Sequence, residues 1–172
     1  MKNTIIVLII LGISLKSYSK EGNEKINTKF EKKNSIEFNL GGHGVFYSFG
    51  YERMIINRNR YKLSGKIDLA YYPYAWNIAQ SLWIPLSLNH IISFNKHHIE
   101  FGSGILFSRD NVRSYSPYQD IWEKWGILSF GYRHQKKESR ILYKILFTPI
   151  IEHNYEWTEI HPLIGGTIGY KF

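Results

Sequence analysis

The chain of 172 residues contains no cysteine, only five prolines and no apolar run as long as a bilayer is thick. Without a cysteine sulfur it cannot form disulfides, a cysteine-ligated zinc or iron-sulfur site, a thiol nucleophile or a lipid-anchored cysteine. The longest apolar run, residues 4 to 15, falls short of the roughly 20 residues that a membrane-spanning helix needs. The chain also lacks a glycine-rich phosphate loop and a Walker lysine, so nucleotide chemistry has no support.

Apolar and aromatic residues are abundant, and the charge is strongly basic. Hydrophobic residues make up 44% and aromatic residues 16% of the chain, which excludes disorder. The net charge of +8 is typical of proteins that meet nucleic acid or an anionic membrane surface. The patterns described below favour the membrane, so we expect no nucleic-acid partner.

The N-terminus has the pattern of an export signal. Lys2 precedes the apolar run, and Ser17 and Ser19 are small residues at the positions that a signal peptidase reads. We therefore predict a signal peptide over residues 1–19. Residues 20–34 are polar and without period, which indicates a short flexible leader before a single domain over residues 35–172.

From Ser35 onward the hydrophobicity alternates with a period of two, as in strands with unlike faces. Residues 61–71 are the clearest case, because every second residue is apolar or glycine and the residues between them are polar. The pattern predicts eight strands, over residues 35–41, 45–56, 61–73, 81–93, 97–108, 124–135, 140–150 and 161–172.

The two faces of these strands differ sharply. One face is apolar and has Arg53 as its only charged member. The other carries four acids and five bases that could pair with one another: Glu37, Glu52, Lys62, Lys66, Asp68, Glu100, Arg133, Lys144 and Lys171. We interpret this set as a structural network rather than an ion path, and we expect Asp68 to bond to at least one of the bases.

Alternation alone leaves open whether the apolar face points inward, as in a soluble lipocalin-like barrel, or outward into lipid. Most strand glycines lie on the charged face, which favours that face as the crowded interior of an eight-stranded barrel. Tyrosines collect near strand ends, where an amphipathic ring suits the boundary of a bilayer. The connections at one end of the predicted barrel are short, at 57–60, 95–96 and 136–139. Those at the other end are longer, at 74–80, 109–123 and 151–160. The sequence therefore predicts an all-β, eight-stranded antiparallel transmembrane β-barrel with a polar, largely filled interior.

With its signal peptide, eight alternating strands and final segment GGTIGYKF ending in Phe172, the chain resembles the small outer-membrane β-barrel proteins of Gram-negative bacteria. The resemblance covers about residues 35–172. It implies export to the outer membrane, a monomer, and contact with outer-membrane lipid and lipopolysaccharide. It also implies that Tyr170 and Phe172 form the signal read by the barrel-assembly machinery.

His134 is the weak candidate for catalysis. Lipid A deacylases of this class use a histidine on the lipid-facing wall with a serine two residues later, but this chain has Lys136 there. His134 also falls at the end of the barrel opposite to the leaflet on which those enzymes act. We therefore expect no catalytic residue, and we interpret His134 and His90 as interfacial histidines.

The long loops carry polar groups and aromatic rings. The histidines and carboxylates there, from His43 to His161, show no dedicated ligand spacing, so we expect no metal site and no cofactor. The candidate binding residues are the aromatic residues of the loops: Tyr74, Trp76, Tyr115, Tyr118, Trp122, Tyr155 and Trp157. With Arg109, Arg113 and Lys124 nearby they could bind a sugar, lipopolysaccharide or a protein, or they could form the outer aromatic girdle. The sequence thus predicts a structural or loop-mediated binding role. A lipid A-modifying enzyme and a narrow channel are the alternatives.

Overall fold

The computed structural model describes residues 29–72, 80–112, 119–153 and 157–172, and the predicted signal peptide lies outside them. Ten strands follow in chain order: β1 Asn34–Gly41, β2 Tyr47–Asn57, β3 Tyr61–Tyr72, β4 Gln80–Phe94, β5 His97–Val112, β6 Gln119–His134, β7 Ile141–Phe147, β8 Ile150–His153, β9 Thr158–His161 and β10 Ile164–Lys171. A single 3-10 turn, Gly42–Gly44, joins β1 to β2.

The strands close into a barrel. Each of β1 to β6 pairs with the next strand in antiparallel fashion, β7 pairs with β10, and β10 pairs with β1. The wall therefore has eight strands, as predicted, while β8 and β9 form a hairpin that continues β7 and β10 beyond it. Among the described residues, no helix has the length and apolar character needed to cross a membrane.

Two of the predicted strands are interrupted. Residues 140–150 divide into β7 and β8 at Thr148 and Pro149, and residues 161–172 divide into β9 and β10 at Pro162 and Leu163. Proline has no N–H to give to a strand ladder, so each proline ends the regular pairing. The Thr148 N–H donates to the Leu163 carbonyl at 2.8 Å, and this bond holds the two interruptions side by side.

Two of the predicted loops are largely strand. β5 reaches Val112 and β6 begins at Gln119, so most of the expected loop 109–123 extends the wall, and Trp122 lies on β6. The expected loop 151–160 contains most of β8 and part of β9. Charged and polar residues hid these extensions, because a strand exposed on both faces loses its alternation.

We call the end of the barrel with residues 29–33, 58–60, 95–96 and 135–140 the turn end, and the opposite end the loop end. The barrel wall is uneven at the loop end. The long strands β5 and β6 extend furthest, whereas β1 and β2 are joined by the tight Gly42–Gly44 turn. Gly41 and Gly42 have φ of 73° and 68°, a conformation that glycine adopts without strain.

The apolar face points outward. Outward side chains remain exposed, with Ile145 at 65% and Ile164 at 73%, whereas Glu37 and Glu52 are fully buried inside. The interior is polar across its middle and apolar toward both ends. At the loop end Leu106, Ile127 and Ile150 pack with partly buried Trp83, Trp125 and Leu163. The sequence did not predict this apolar layer.

Candidate functional site: the filled interior and the two ends

Lys144 lies at the centre of the barrel and joins three carboxylates. Its Nζ lies 3.0 Å from Glu37, 3.2 Å from Glu52 and 3.3 Å from Glu100. These residues come from four different strands, and none of the four side chains is more than 1% exposed. The lysine thus ties opposite walls of the barrel together.

Arg133 forms a second bridge beside it. Its Nη1 lies 2.9 Å from Glu52 and 3.0 Å from Glu100, and its Nε donates to Gln135 Oε1 at 2.7 Å. Two carboxylates are therefore shared between Lys144 and Arg133. Because each of these carboxylates contacts both cations, the four side chains form a network whose members depend on one another.

Lys66 extends the network toward the loop end. Its Nζ lies 3.0 Å from Glu37 and 3.2 Å from Asp68, and it donates to Asn39 Oδ1 at 3.1 Å. Asp68 also accepts a hydrogen bond from Asn39 Nδ2 at 2.9 Å. The basic partner of Asp68 is thus Lys66 of its own strand.

Gly50 leaves the space that Asp68 needs. A Cβ atom at this position would collide with the Asp68 carboxylate. The inward glycine and the inward carboxylate face each other in register on β2 and β3. Glycine is therefore required here by the close approach of a charged side chain.

Lys62 and Lys171, two of the predicted network members, lie apart from this set. Lys62 Nζ donates to Ser93 Oγ at 2.5 Å and to the Asn59 carbonyl at 3.2 Å, and Lys171 Nζ donates to the Lys136 carbonyl at 2.9 Å. Neither forms an ion pair with a carboxylate in the part of the barrel that the structure describes. Both lie at the turn end, beneath the ionic centre.

Phe30 closes the turn end. It is only 3% exposed, although it belongs to the segment expected to be a flexible leader. Lys62 Nζ lies 4.5 Å and Lys171 Nζ 5.8 Å from the centre of its ring, and the ring of His98 packs edge-on at 5.1 Å. Cations are attracted to the face of an aromatic ring, so Phe30 replaces a carboxylate as their partner.

Two hydrogen bonds hold this segment in place. The Phe30 N–H donates to Asn57 Oδ1 at 3.1 Å, and Asn57 Nδ2 donates to the Phe30 carbonyl at 2.7 Å. Sequence reasoning missed this plug because a single aromatic residue in a polar stretch has no period. Its only signal was that Phe30 is the sole aromatic residue between the predicted cleavage site and the first strand.

His43 covers the loop end above the network. Its Nε2 donates to the Leu128 carbonyl across the barrel at 2.8 Å. Beneath it lies a cavity of about 30 Å³, room for about one water molecule, lined in part by Asn39, Lys66 and Asp68. Burial lowers the pKa of His43 below its ordinary value of 6.5. The imidazole thus covers a space for about one water molecule beside the ionic network.

His134 lies on the outer surface at the turn end. The Tyr132 hydroxyl is hydrogen-bonded to His97 Nδ1 at 2.5 Å and lies 3.3 Å from His134 Nδ1. The contacts described for His134 include no serine or carboxylate, the partners that a hydrolytic histidine needs. Tyr132, His97 and His134 thus form a cluster of one phenol and two imidazoles on the outer surface.

The predicted loop-binding residues are only partly visible. Tyr74, Trp76, Tyr115, Tyr118 and Tyr155 lie outside the described residues. Trp122 and Trp157 are 56% and 47% exposed. Arg109 stacks over the Trp122 ring at 5.7 Å, and Lys124 lies 5.9 Å from the ring centre of Phe107. These four residues form two cross-strand pairs on β5 and β6. We call them the loop-end patch.

Among the described residues, the structure brings two of the polar loop residues, Glu159 and His161, together with Glu152. The side chains of Glu152, Glu159 and His161 lie on the β8–β9 hairpin with their ligand atoms within 4.8 Å of one another. His161 lies 3.5 Å from Glu152 and 3.9 Å from Glu159, so the imidazole pairs with both carboxylates when it is protonated. Cross-strand register, rather than sequence spacing, creates this group.

The residues expected to form the assembly signal lie on the outer wall at the turn end. Tyr170 and Phe172 are 48% and 51% exposed, and the Phe172 N–H donates to the Asn34 carbonyl at 2.9 Å. The chain is therefore hydrogen-bonded to β1 as far as Phe172.

Solved structures of similar fold were found, although no protein-family model and no curated protein matches the chain. The N-terminal β-barrel domain of Pseudomonas aeruginosa OprF has 10% sequence identity and a TM-score of 0.58, over 82% of this chain and 98% of that one. The Yersinia pestis outer membrane protein Ail has 9% identity and a TM-score of 0.49, over 83% and 100%. The OprF likeness confirms the predicted fold of a small outer-membrane β-barrel.

Proposed function

We propose that the protein is a closed, non-catalytic outer-membrane β-barrel that acts through its loop end, where it binds lipopolysaccharide. The apolar outer wall supports a place in lipid, since exposed isoleucine, leucine and phenylalanine side chains surround the barrel. The fold shared with the OprF barrel domain agrees with that location.

The filled interior is the observation that carries the closed-barrel assignment. Lys144, Arg133 and Lys66 join four carboxylates across the middle, Phe30 fills the turn end, and an apolar layer around Leu106 fills the loop end. An eight-stranded barrel leaves only enough interior for side chains. Function therefore belongs on the outside of the molecule.

The loop-end patch supplies a surface suited to lipopolysaccharide. Arg109 and Lys124 carry positive charge beside the rings of Trp122 and Phe107. All four side chains face outward on β5 and β6, nearer the loop end than the lipid-facing Ile105 and Leu128. They consequently lie just beyond the apolar band, at the level of a lipid headgroup. Guanidinium and ammonium groups bind the phosphates of such a headgroup, and the rings cover its sugars.

Titration of the folded, detergent-solubilised protein with purified lipopolysaccharide tests this function. Charge-removing changes Arg109→Gln and Lys124→Gln together should weaken binding at least about fivefold, because a basic group near anionic lipid contributes about 1 kcal/mol. The matched control, Arg109→Lys together with Lys124→Arg, keeps both positive charges and should keep most of the affinity. Equal binding by wild type and the loop-end variant would contradict the proposal.

A further inference from the structure

The two ends of the barrel carry very different charge. In the described chain, Glu31 and Glu138 are the only acidic residues on the surface of the turn end. Nine basic side chains are exposed or half-exposed there: Lys29, Lys32, Lys33, Arg58, Arg60, Lys96, Lys136, Lys137 and Arg140. We call these nine residues the basic collar. They outweigh the two acids by an amount close to the net charge of +8 of the whole chain.

The loop end has no such excess of basic groups. Among its strand residues whose side chains the structure describes, Glu123, Glu152 and Glu159 stand against Arg109 and Lys124. General solubility would not require such a separation of charge between the ends. The excess of basic groups at the turn end instead indicates an anionic partner at that end.

The collar lies directly below a band of aromatic rings. Tyr61, Tyr132, Tyr143 and Tyr170 face outward near the turn end, and Arg140 Nη1 donates to the Tyr170 hydroxyl at 2.8 Å. Tyrosines of this kind mark the level where hydrocarbon meets headgroups. The basic side chains just beyond them are therefore at the depth of the lipid phosphates.

Arg53 fits the same arrangement. It is a charged residue on the apolar outward face of β2, and it pairs in register with Asn34, the first residue of β1. A long arginine side chain can follow the wall down to the headgroups while its stem stays in apolar surroundings. Its position near the turn end adds another guanidinium to the collar.

We propose that the basic collar binds the headgroups of anionic phospholipids in the leaflet that surrounds the turn end. This inference depends on the proposed membrane location but not on the proposed lipopolysaccharide site. A phosphate diester with a net negative headgroup satisfies the collar, whereas a zwitterionic headgroup brings its own cation and does so less well.

Native mass spectrometry of the detergent-solubilised full chain tests the collar with two probes, phosphatidylglycerol and phosphatidylcholine. The wild type should retain phosphatidylglycerol in preference to phosphatidylcholine. Replacing Arg58, Arg60, Lys136 and Lys137 by glutamine should reduce that preference at least about fivefold, the effect of a single basic group near anionic lipid. These side chains lie in turns, so the fold should survive, and near-ultraviolet circular dichroism checks it.

The control variant carries Glu138→Gln in the turn that holds Lys136 and Lys137, and it should keep or raise the wild-type preference. An unchanged preference in the collar variant, or an equal loss in the control, would overturn the collar assignment. Displacement of bound phosphatidylglycerol from the wild type by purified lipopolysaccharide would also overturn it, since the site would then bind phosphate from either source. Failure of the wild type to fold in any lipid or detergent would instead contradict the membrane barrel itself.

Discussion

The middle of the barrel and its turn end hold buried cations in different ways. In the middle, Lys144 and Arg133 are surrounded by carboxylates that are themselves fully buried. At the turn end, Lys62 and Lys171 contact carbonyls and the face of Phe30. The comparison shows that buried cations are paired with charged carboxylates in the middle, and with neutral carbonyls and an aromatic ring at the turn end. Removing a partner should therefore cost more in the middle.

The largest effect is expected from Lys144→Met. The change leaves Glu37, Glu52 and Glu100 without their shared cation, and breaking a buried ion pair costs roughly 3 to 5 kcal/mol. Urea unfolding in lipid vesicles, followed by tryptophan fluorescence, measures the free energy of unfolding. The same change at Lys124, exposed on the loop-end patch, is the control and should cost little. Equal losses at the two lysines would mean that the middle is wet.

The second effect concerns the wall rather than the interior. Leu86 points outward and is 39% exposed, so Leu86→Arg places a guanidinium in hydrocarbon and should cost about 2 to 4 kcal/mol. The same unfolding assay measures it, with Leu86→Met as the control. A stability like that of the control would mean that Leu86 does not face lipid.

Phe30→Ala should have a smaller effect, about 1.5 to 3 kcal/mol, equal to the transfer of one buried ring to water. No further penalty for an empty space is expected, because water can enter at the turn end. Phe30→Leu separates the two contributions, since it keeps apolar volume but removes the ring face that Lys62 and Lys171 contact. A free energy of unfolding in Phe30→Ala equal to that of the wild type would show that the Phe30 ring is not packed inside the barrel.

The smallest effect is a dependence on pH. Burial lowers the pKa of His43, so the folded protein favours the neutral imidazole. The resulting stability is present above the ordinary histidine value of 6.5 and is lost as the pH falls below it. Chemical denaturation at pH 7 and pH 5 should therefore show a larger loss for wild type than for His43→Gln. Identical losses would place His43 in water.

The strands could be predicted because each has an apolar outward face and a polar inward face, so alternation is strong from Ile36 to Lys171. The interruptions at Pro149 and Pro162 were missed because apolar residues continue through them. The charged interior residues were identified by their parity, but their partners were not, since Lys144 and Glu52 come together only through barrel closure. Phe30 could not be placed from its sequence because it belongs to no strand.

The closed interior is the central claim, and ion conductance across a planar bilayer tests it most directly. The full chain, folded in detergent and inserted into the bilayer, should give no steady current steps in concentrated potassium chloride. The ionic middle around Lys144, the Phe30 plug and the apolar layer at Leu106 each obstruct the path. Reproducible unitary steps from the wild-type barrel would contradict the account and favour the narrow channel.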